Sequence, residues 1–207
     1  MKNTLKITSL LIFCLALTSC KKNTKKAIEQ SDIATSIYVL DQSSAKIGWT
    51  AYKTSEKVPV KGEFKQITIK NEAITINPID AINGAEFSIL VSSLFSNNAE
   101  RDPKLLKFFF GVMKNTELLS GTISITNENT GNLALSMNTI IQSLPFTYTL
   151  VDNVFTLSGV MNLDQWNGQA AIESINKACF DLHKGTDGIS KTWNDVQIDA
   201  SISIVKK

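Results

Sequence analysis

The chain of 207 residues carries 21 basic and 19 acidic side chains, a formal net charge of +2. So even a balance excludes the broad basic field that nucleic-acid binding by charge alone requires. With three cysteines and one histidine, the chain offers neither a dense disulfide framework nor a rich set of metal ligands.

Lys2 and Lys6 make a short positive region, and Ile7 to Leu17 follows as a mainly apolar stretch in which Thr8 and Ser9 are the polar members. That stretch has the length of a signal-peptide core and falls short of the ~20 residues a membrane-spanning helix needs. Leu17-Thr18-Ser19-Cys20 then resembles the lipobox of bacterial lipoproteins: a Leu, two small residues and the cysteine that is acylated before cleavage. Small side chains suit the cut, and the thiol takes the diacylglyceryl group. The resemblance implies a signal peptide over residues 1–19 and lipidation at Cys20. More than one acyl chain there suffices for stable anchoring, where a single chain is marginal. The expected location is the cell envelope, lipid-anchored, at the outer membrane facing the periplasm.

Cleavage before Cys20 leaves 188 residues with 19 basic and 19 acidic side chains, the size of one domain with a sizeable core. Cys179 then remains as the sole thiol, which excludes an intrachain disulfide. Residues 20–37 are polar, with Lys21, Lys22, Lys25 and Lys26 and no apolar periodicity, and read as a flexible tether. The folded domain is expected over residues 38–207.

From there, period-2 alternation dominates, and each apolar set marks one face of a strand. Ile47, Trp49 and Ala51 form the first. Phe64 is followed by Ile67 and Ile69, which are expected to pair with Ile74 and Ile76 across an Asn71-Glu72 turn. Phe87, Ile89 and Val91 form another series, followed by Ile123 and Ile125, then Leu133, Leu135 and Met137. Phe146, Tyr148 and Leu150 precede Phe155 and Leu157, and Ile198, Ala200, Ile202 and Ile204 close the chain. Asn83-Gly84, Asn127 to Gly131 and Asp152-Asn153 read as turns. Eight or nine short antiparallel strands point to a closed barrel or a sandwich.

Two helices interrupt the strands. In the first, Asp102 fits the N-cap, Pro103 the first helical position and Gly111 the stop. The second spans about Ala170 to His183, with Ile172, Ile175, Cys179 and Leu182 on one face and Gly185 beyond its end.

Three segments carry a family resemblance: Ser44-Ala45-Lys46-Ile47-Gly48-Trp49; Val58-Pro59-Val60-Lys61-Gly62-Glu63-Phe64; and Ala85 to Phe109, with Ser92-Ser93-Leu94 and Arg101-Asp102 ahead of a Leu and several Phe. Together they resemble the YceI family, lipocalin-like isoprenoid-binding proteins of bacterial envelopes, over residues 38–205. The resemblance implies an all-β fold: an eight-stranded antiparallel lipocalin-like barrel with one or two short helices, one packed over an end. Three places depart from the family pattern. Met137-Asn138-Thr139-Ile140 lacks the usual Gly, Asp164-Gln165-Trp166-Asn167-Gly168 replaces a late motif, and Ala170 to Trp193 is longer than usual.

An eight-stranded barrel is either filled by its side chains or able to hold one small ligand. The family resemblance favours the hollow form. The inward residues then become candidate ligand contacts: Trp49 and Phe64 from the first strands, Phe87 and Ile89 from the next. Ile123, Leu135 and Met137 follow, and Phe146, Tyr148, Phe155 and Leu157 complete the set. The implied ligand is an amphiphilic isoprenoid- or quinone-like lipid, with no other cofactor, no metal and no catalytic residue, and with the membrane as partner through Cys20. Two alternatives use the same residues differently: a solid barrel acting as an envelope interaction module, and an enzyme built on Cys179 and His183. Those two lie four apart on a helix and so are neighbours; a small buried Cys beside a His at the helix end is the plainer reading. Arg101 can serve a ligand head group or the helix start, and Trp193 a lid or a core plug.

Overall fold

The computed structural model describes residues 37–207. The signal peptide, Cys20 and all of the tether but its last residue lie outside the described residues. Ten strands build one antiparallel sheet: β1 (Tyr38–Lys53), β2 (Val58–Phe64), β3 (Ile67–Lys70), β4 (Glu86–Leu90), β5 (Leu94–Phe95), β6 (Leu118–Asn127), β7 (Thr130–Met137), β8 (Ile140–Val151), β9 (Val154–Asn162) and β10 (Asp195–Lys206). Two helices, α1 (Arg101–Phe108) and α2 (Gln169–Ala178), stand between strands. The sheet runs β3-β4-β6-β7-β8-β9-β10-β1-β2-β5. Eight expected runs become ten strands for a local reason. Lys65 and Gln66 break one bent run into β2 and β3, and β5 is a two-residue strand paired only to the end of β2.

The sheet curls until β1 meets β3, and a side chain makes much of that seam. β1 slips register between Asp41 and Lys46, a bulge that frees Gln42 from its ladder. The Gln42 amide donates to the Ile67 carbonyl (2.8 Å) and accepts from the Ile69 amide (2.6 Å), in place of backbone pairing. Such closure removes exposed sheet edges.

The tight turns follow backbone chemistry. Asp152 and Asn153 both take positive φ (51° and 59°), as the two-residue loop between β8 and β9 requires. Asn138 and Thr139 do the same between β7 and β8 (52° and 63°), so the turn that lacks glycine is of the same kind. A β-branched residue there is strained. Asn138 compensates: its amide donates to the Trp166 and Asn167 carbonyls, and its side-chain oxygen accepts from the Lys114 amide.

Three expected local features are corrected. Ile74 and Ile76 form no strand and stand 83% and 68% exposed; β3 pairs with β4 instead. Asn71 turns the chain away from a hairpin, its amide donating to the Ala81 and Asn83 carbonyls while its oxygen accepts from the Ala73 amide. Nor is Asp102 the cap of α1. Asn98 accepts from the Glu100 and Arg101 amides, and Asp102, already in the helix, accepts from the amide and hydroxyl of Ser96. The second helix is shorter than expected: α2 ends at Ala178 and continues as a 3-10 turn over Phe180–His183.

Three glycines seat aromatic rings from neighbouring strands. Gly62 lies opposite Trp49, Gly121 opposite Phe87 and Gly131 opposite Phe146, and at each a Cβ would collide with the partner's ring. An aromatic ring laid over a cross-strand glycine covers exposed backbone and pins the register.

Candidate functional site

The barrel has a filled end and a hollow end. At the filled end Phe155, 1% exposed, stacks on Tyr148 (ring centroids 5.1 Å apart) and meets Phe146 edge-on (6.4 Å). Trp166, just past the end of β9 and so toward the opposite end, is fully buried and donates its indole N–H to the Leu135 carbonyl (3.0 Å), which satisfies the one polar group such a residue brings into a core. At the other end, where β1 and β9 finish and β10 begins, a cavity of about 310 Å³ remains. Its walls are Trp49 and Ala51 of β1, Val60 and Phe64 of β2, Met161 of β9 and Val196 of β10. Leu105 of α1 and Ile175 of α2 close over it.

Of the eleven residues expected to contact a ligand, the structure brings three to this cavity: Trp49, Phe64 and Met137. Phe87, Ile89, Ile123, Leu135, Phe146, Tyr148, Phe155 and Leu157 stand apart from it and pack into the core. Alternation fixes which face of a strand a side chain takes, and all eleven do lie buried or half-buried. It does not fix depth along the barrel axis, where large rings at one end use the space left open at the other. Ala51, Val60 and Val196 line the cavity beside the rings of Trp49 and Phe64.

The mouth is polar. Lys53, Glu100, Arg101, Lys104 and His183 all border the cavity. The wall that carries His183 is the long segment between α2 and β10, folded back on the β1–β2 turn. Thr54 donates its amide to the Lys191 carbonyl (2.9 Å), and Trp193 donates its amide to the Tyr52 carbonyl (3.1 Å). Glu56 accepts from the Thr186 amide (2.9 Å) and hydroxyl, and those bonds hold its carboxyl down to about 2. Trp193 is neither a free lid nor a core plug. It lines the cavity half-buried, donates its indole N–H to the Thr54 carbonyl (2.8 Å) and has the ammonium groups of Lys57 (4.8 Å) and Lys191 (3.5 Å) over its ring.

His183 is held neutral. Burial first, then the ammonium of Lys53, lowers its pKa to about 4. Asn176 donates its amide to the Ser190 carbonyl (3.3 Å), which turns its oxygen toward the Thr192 hydroxyl (2.9 Å). His183 Nδ1 lies 2.7 Å from the same hydroxyl and 3.3 Å from the Asn176 side-chain oxygen. The imidazole is thus engaged with Thr192 and Asn176. Cys179 is buried on the cavity wall nearby, and its carbonyl accepts from the His183 amide (3.0 Å). Among the described residues no group of three or more His, Cys, Asp or Glu side chains is placed to hold a metal.

The sequence matches the model of the YceI-like domain over residues 38–204. The chain belongs to the YceI-like family. Among curated proteins none matches it. Among solved structures it is similar to BcnA of Burkholderia cenocepacia, at 18% identity and a TM-score of 0.53, over 80% of this chain and 99% of that one. It is also similar to a polyisoprenoid binding domain from Saccharophagus degradans implicated in plant cell wall breakdown, at 11% identity and a TM-score of 0.55, over 82% of this chain and 98% of that one. These likenesses confirm the barrel fold. In this YceI-like domain, the segment between α2 and β10 carries His183 and Trp193 to the cavity mouth. In the replaced late motif Asn162 caps a 3-10 turn over Leu163–Trp166, and that turn delivers Trp166 to the core.

Proposed function

We propose that this protein is a membrane-anchored envelope lipoprotein that holds an amphiphilic, isoprenoid-like lipid by its apolar part in the hollow end of the barrel. The observation that carries the reading is the cavity: about 310 Å³, walled by apolar side chains and bordered by polar ones on one side. That volume sits at the lower end of the ~300–1,000 Å³ typical of small-molecule pockets, so it suits a short chain or one segment of a long one. Burying roughly 400 Å² of hydrocarbon at ~25 cal/mol per Å² yields about 10 kcal/mol, before an association cost of at least ~4 kcal/mol. Membership of the YceI-like family and the likeness to a polyisoprenoid binding domain support the same ligand class. The cavity also supports this reading over a solid interaction module.

An acyl anchor at Cys20 complements that role, because a carrier of a water-insoluble ligand works beside the membrane where the ligand dissolves. Native mass spectrometry of protein from a lipid-rich host is expected to show a co-purified lipid; none across several preparations would count against the cavity's role. Labelling cells with an alkyne fatty acid is expected to tag the wild type and not Cys20→Ser, and equal labelling would remove the anchor.

A further inference from the structure

We infer that the rim of the hollow end is a membrane-docking surface. Val58, Phe180, Leu182 and Ile189 dip into the interface of an anionic bilayer, and the lysines around them lie against its head groups. The inference rests on the lipid-binding reading and adds the surface onto which the cavity opens.

The four side chains are between 42% and 59% exposed, and the fold gathers them at one opening. Val58 begins β2 opposite Lys53, the last residue of β1. Lys53 bridges to Thr192 and donates its ammonium to the Leu182 carbonyl (2.9 Å). Lys184 bridges to Ser190, which brings Ile189 back beside the turn that carries Phe180 and Leu182. Leu182 is exposed and also lines the cavity, so the apolar tips run on into the cavity wall. Exposed apolar side chains gathered in this way mark an interaction site.

Behind the tips stand the residue types of a membrane interface. Tyr52 and Trp193 are half-buried and line the cavity. The Lys57 ammonium lies over both rings, 4.8 Å from each centroid. Lys191 lies over Trp193 (3.5 Å) and Lys184 over Phe180 (4.9 Å). Trp and Tyr favour the level of the lipid head groups. A lysine stem laid along an apolar surface keeps its ammonium free for water or phosphate.

Charge selects the bilayer among apolar partners. Residues 38–207 hold 15 basic and 17 acidic side chains, a net charge of −2. The elements at the mouth run the other way. The β1–β2 turn (53–58), α1 with Glu100 (100–108) and the stretch 177–193 together hold eight basic and five acidic side chains, a net +3, which leaves −5 on the rest of the domain. Asp195, just beyond that stretch, is paired with Lys57 (2.6 Å). Exposed apolar residues elsewhere lack this setting. Val151 and Val154 flank Asp152 at the filled end, and Ile74 and Ile76 stand between Glu72 and Asp80, with no lysine within either run. Apolar tips ringed by cations suit an anionic membrane surface.

The test is hydrogen–deuterium exchange of the full chain, mapped by mass spectrometry, with and without vesicles of phosphatidylethanolamine and phosphatidylglycerol. Peptides covering residues 54–59 and 180–191 are expected to exchange about fivefold more slowly on the vesicles. Those covering residues 140–146, which carry the exposed Ile141 on the outer wall, stay unchanged. Protection weakens on phosphatidylcholine alone and as salt screens the rim. Phe180→Ser with Ile189→Ser is expected to remove it. Neither residue lines the cavity, so the variant still binds farnesyl phosphate in vesicle-free solution, read by the emission of Trp49 and Trp193, which also shows that it is folded. Any attachment through residues 1–36 is common to wild type and variant. If neither stretch is protected, or the variant is protected like the wild type, the docking surface is overturned, and farnesyl phosphate binding then leaves the lipid-binding reading standing. Protection of the rim without farnesyl phosphate binding upholds the docking surface and overturns the cargo.

Discussion

Ala51→Leu turns the hollow end of the barrel into a question of sign. Ala51 lines the cavity on β1, where its neighbour across the ladder is Val60. Leucine adds three carbons, a volume on the order of 100 Å³ judged from the cavities that Leu-to-Ala truncations open at ~24 cal/mol per Å³. That is roughly a third of the 310 Å³ present. At ~0.8 kcal/mol per buried carbon, filling the space stabilises delipidated protein by up to about 2 kcal/mol. For a domain of this size that is roughly 4–8 °C in Tm. The same change in a close-packed core would destabilise by ~1–3 kcal/mol, because the added atoms force neighbours out of their rotamers. Thermal unfolding followed by circular dichroism on lipid-free protein decides between them. A raised midpoint together with at least tenfold weaker farnesyl phosphate binding is expected; a lowered midpoint would show that no usable cavity lies beside Ala51 and refute the reasoning.

Phe155→Ala is the counterpart at the filled end. It removes a ring packed against both Phe146 and Tyr148 and should cost ~3–5 kcal/mol in urea unfolding, while lipid affinity of the folded protein stays unchanged. Acid sensitivity follows from His183, whose folded pKa of about 4 lies below its ordinary 6.5. Between those values the unfolded chain binds the proton more readily, so stability falls as pH drops. The loss is about 1–2 kcal/mol for a ring that solvent still partly screens. Unfolding midpoints at pH 7 and pH 5 measure its first part, and His183→Asn is expected to flatten the difference; an unchanged slope would show that His183 is not the group responsible.

The strands were legible because half-buried antiparallel sheet writes a period of two into the sequence. The sets Leu133-Leu135-Met137 and Phe155-Leu157 appear where the alternation puts them, each buried. Ile74 and Ile76 alternate as well, yet no partner strand covers them, since the Asn71 side chain diverts the loop first. Alternation records a propensity to face one way, and burial needs something to face. The α1 cap failed for a similar reason. Asp102 had the right chemistry, but Asn98 lay closer to the first free amides, and Asp102 was drawn to Ser96.

The candidate site was less legible than the fold. Trp49, Phe64 and Met137 border the cavity, whereas the other eight expected contacts lie away from it, because depth along a barrel axis depends on the stagger of strands rather than on their pattern. Of the cationic rim, Arg101 was a head-group candidate from the sequence, but its neighbours at the rim were not. Lys53 sits on β1 and Arg101 and Lys104 on α1, about fifty residues apart in the chain, and only the closed barrel sets them at one opening. Gly62, Gly121 and Gly131 were visible as glycines inside strands, a known mark of close approach, but the rings they receive belong to other strands.

The most direct measurement is photolabelling with a diazirine-bearing farnesyl phosphate, followed by mapping of the modified residues by mass spectrometry. Crosslinks are expected at the hollow end, on Val60, Leu105 or Val196, with competition by unlabelled farnesyl phosphate. Label confined to the outer surface, on exposed residues such as Ile141 and Val160, or spread among Phe146, Tyr148 and Phe155, would contradict it.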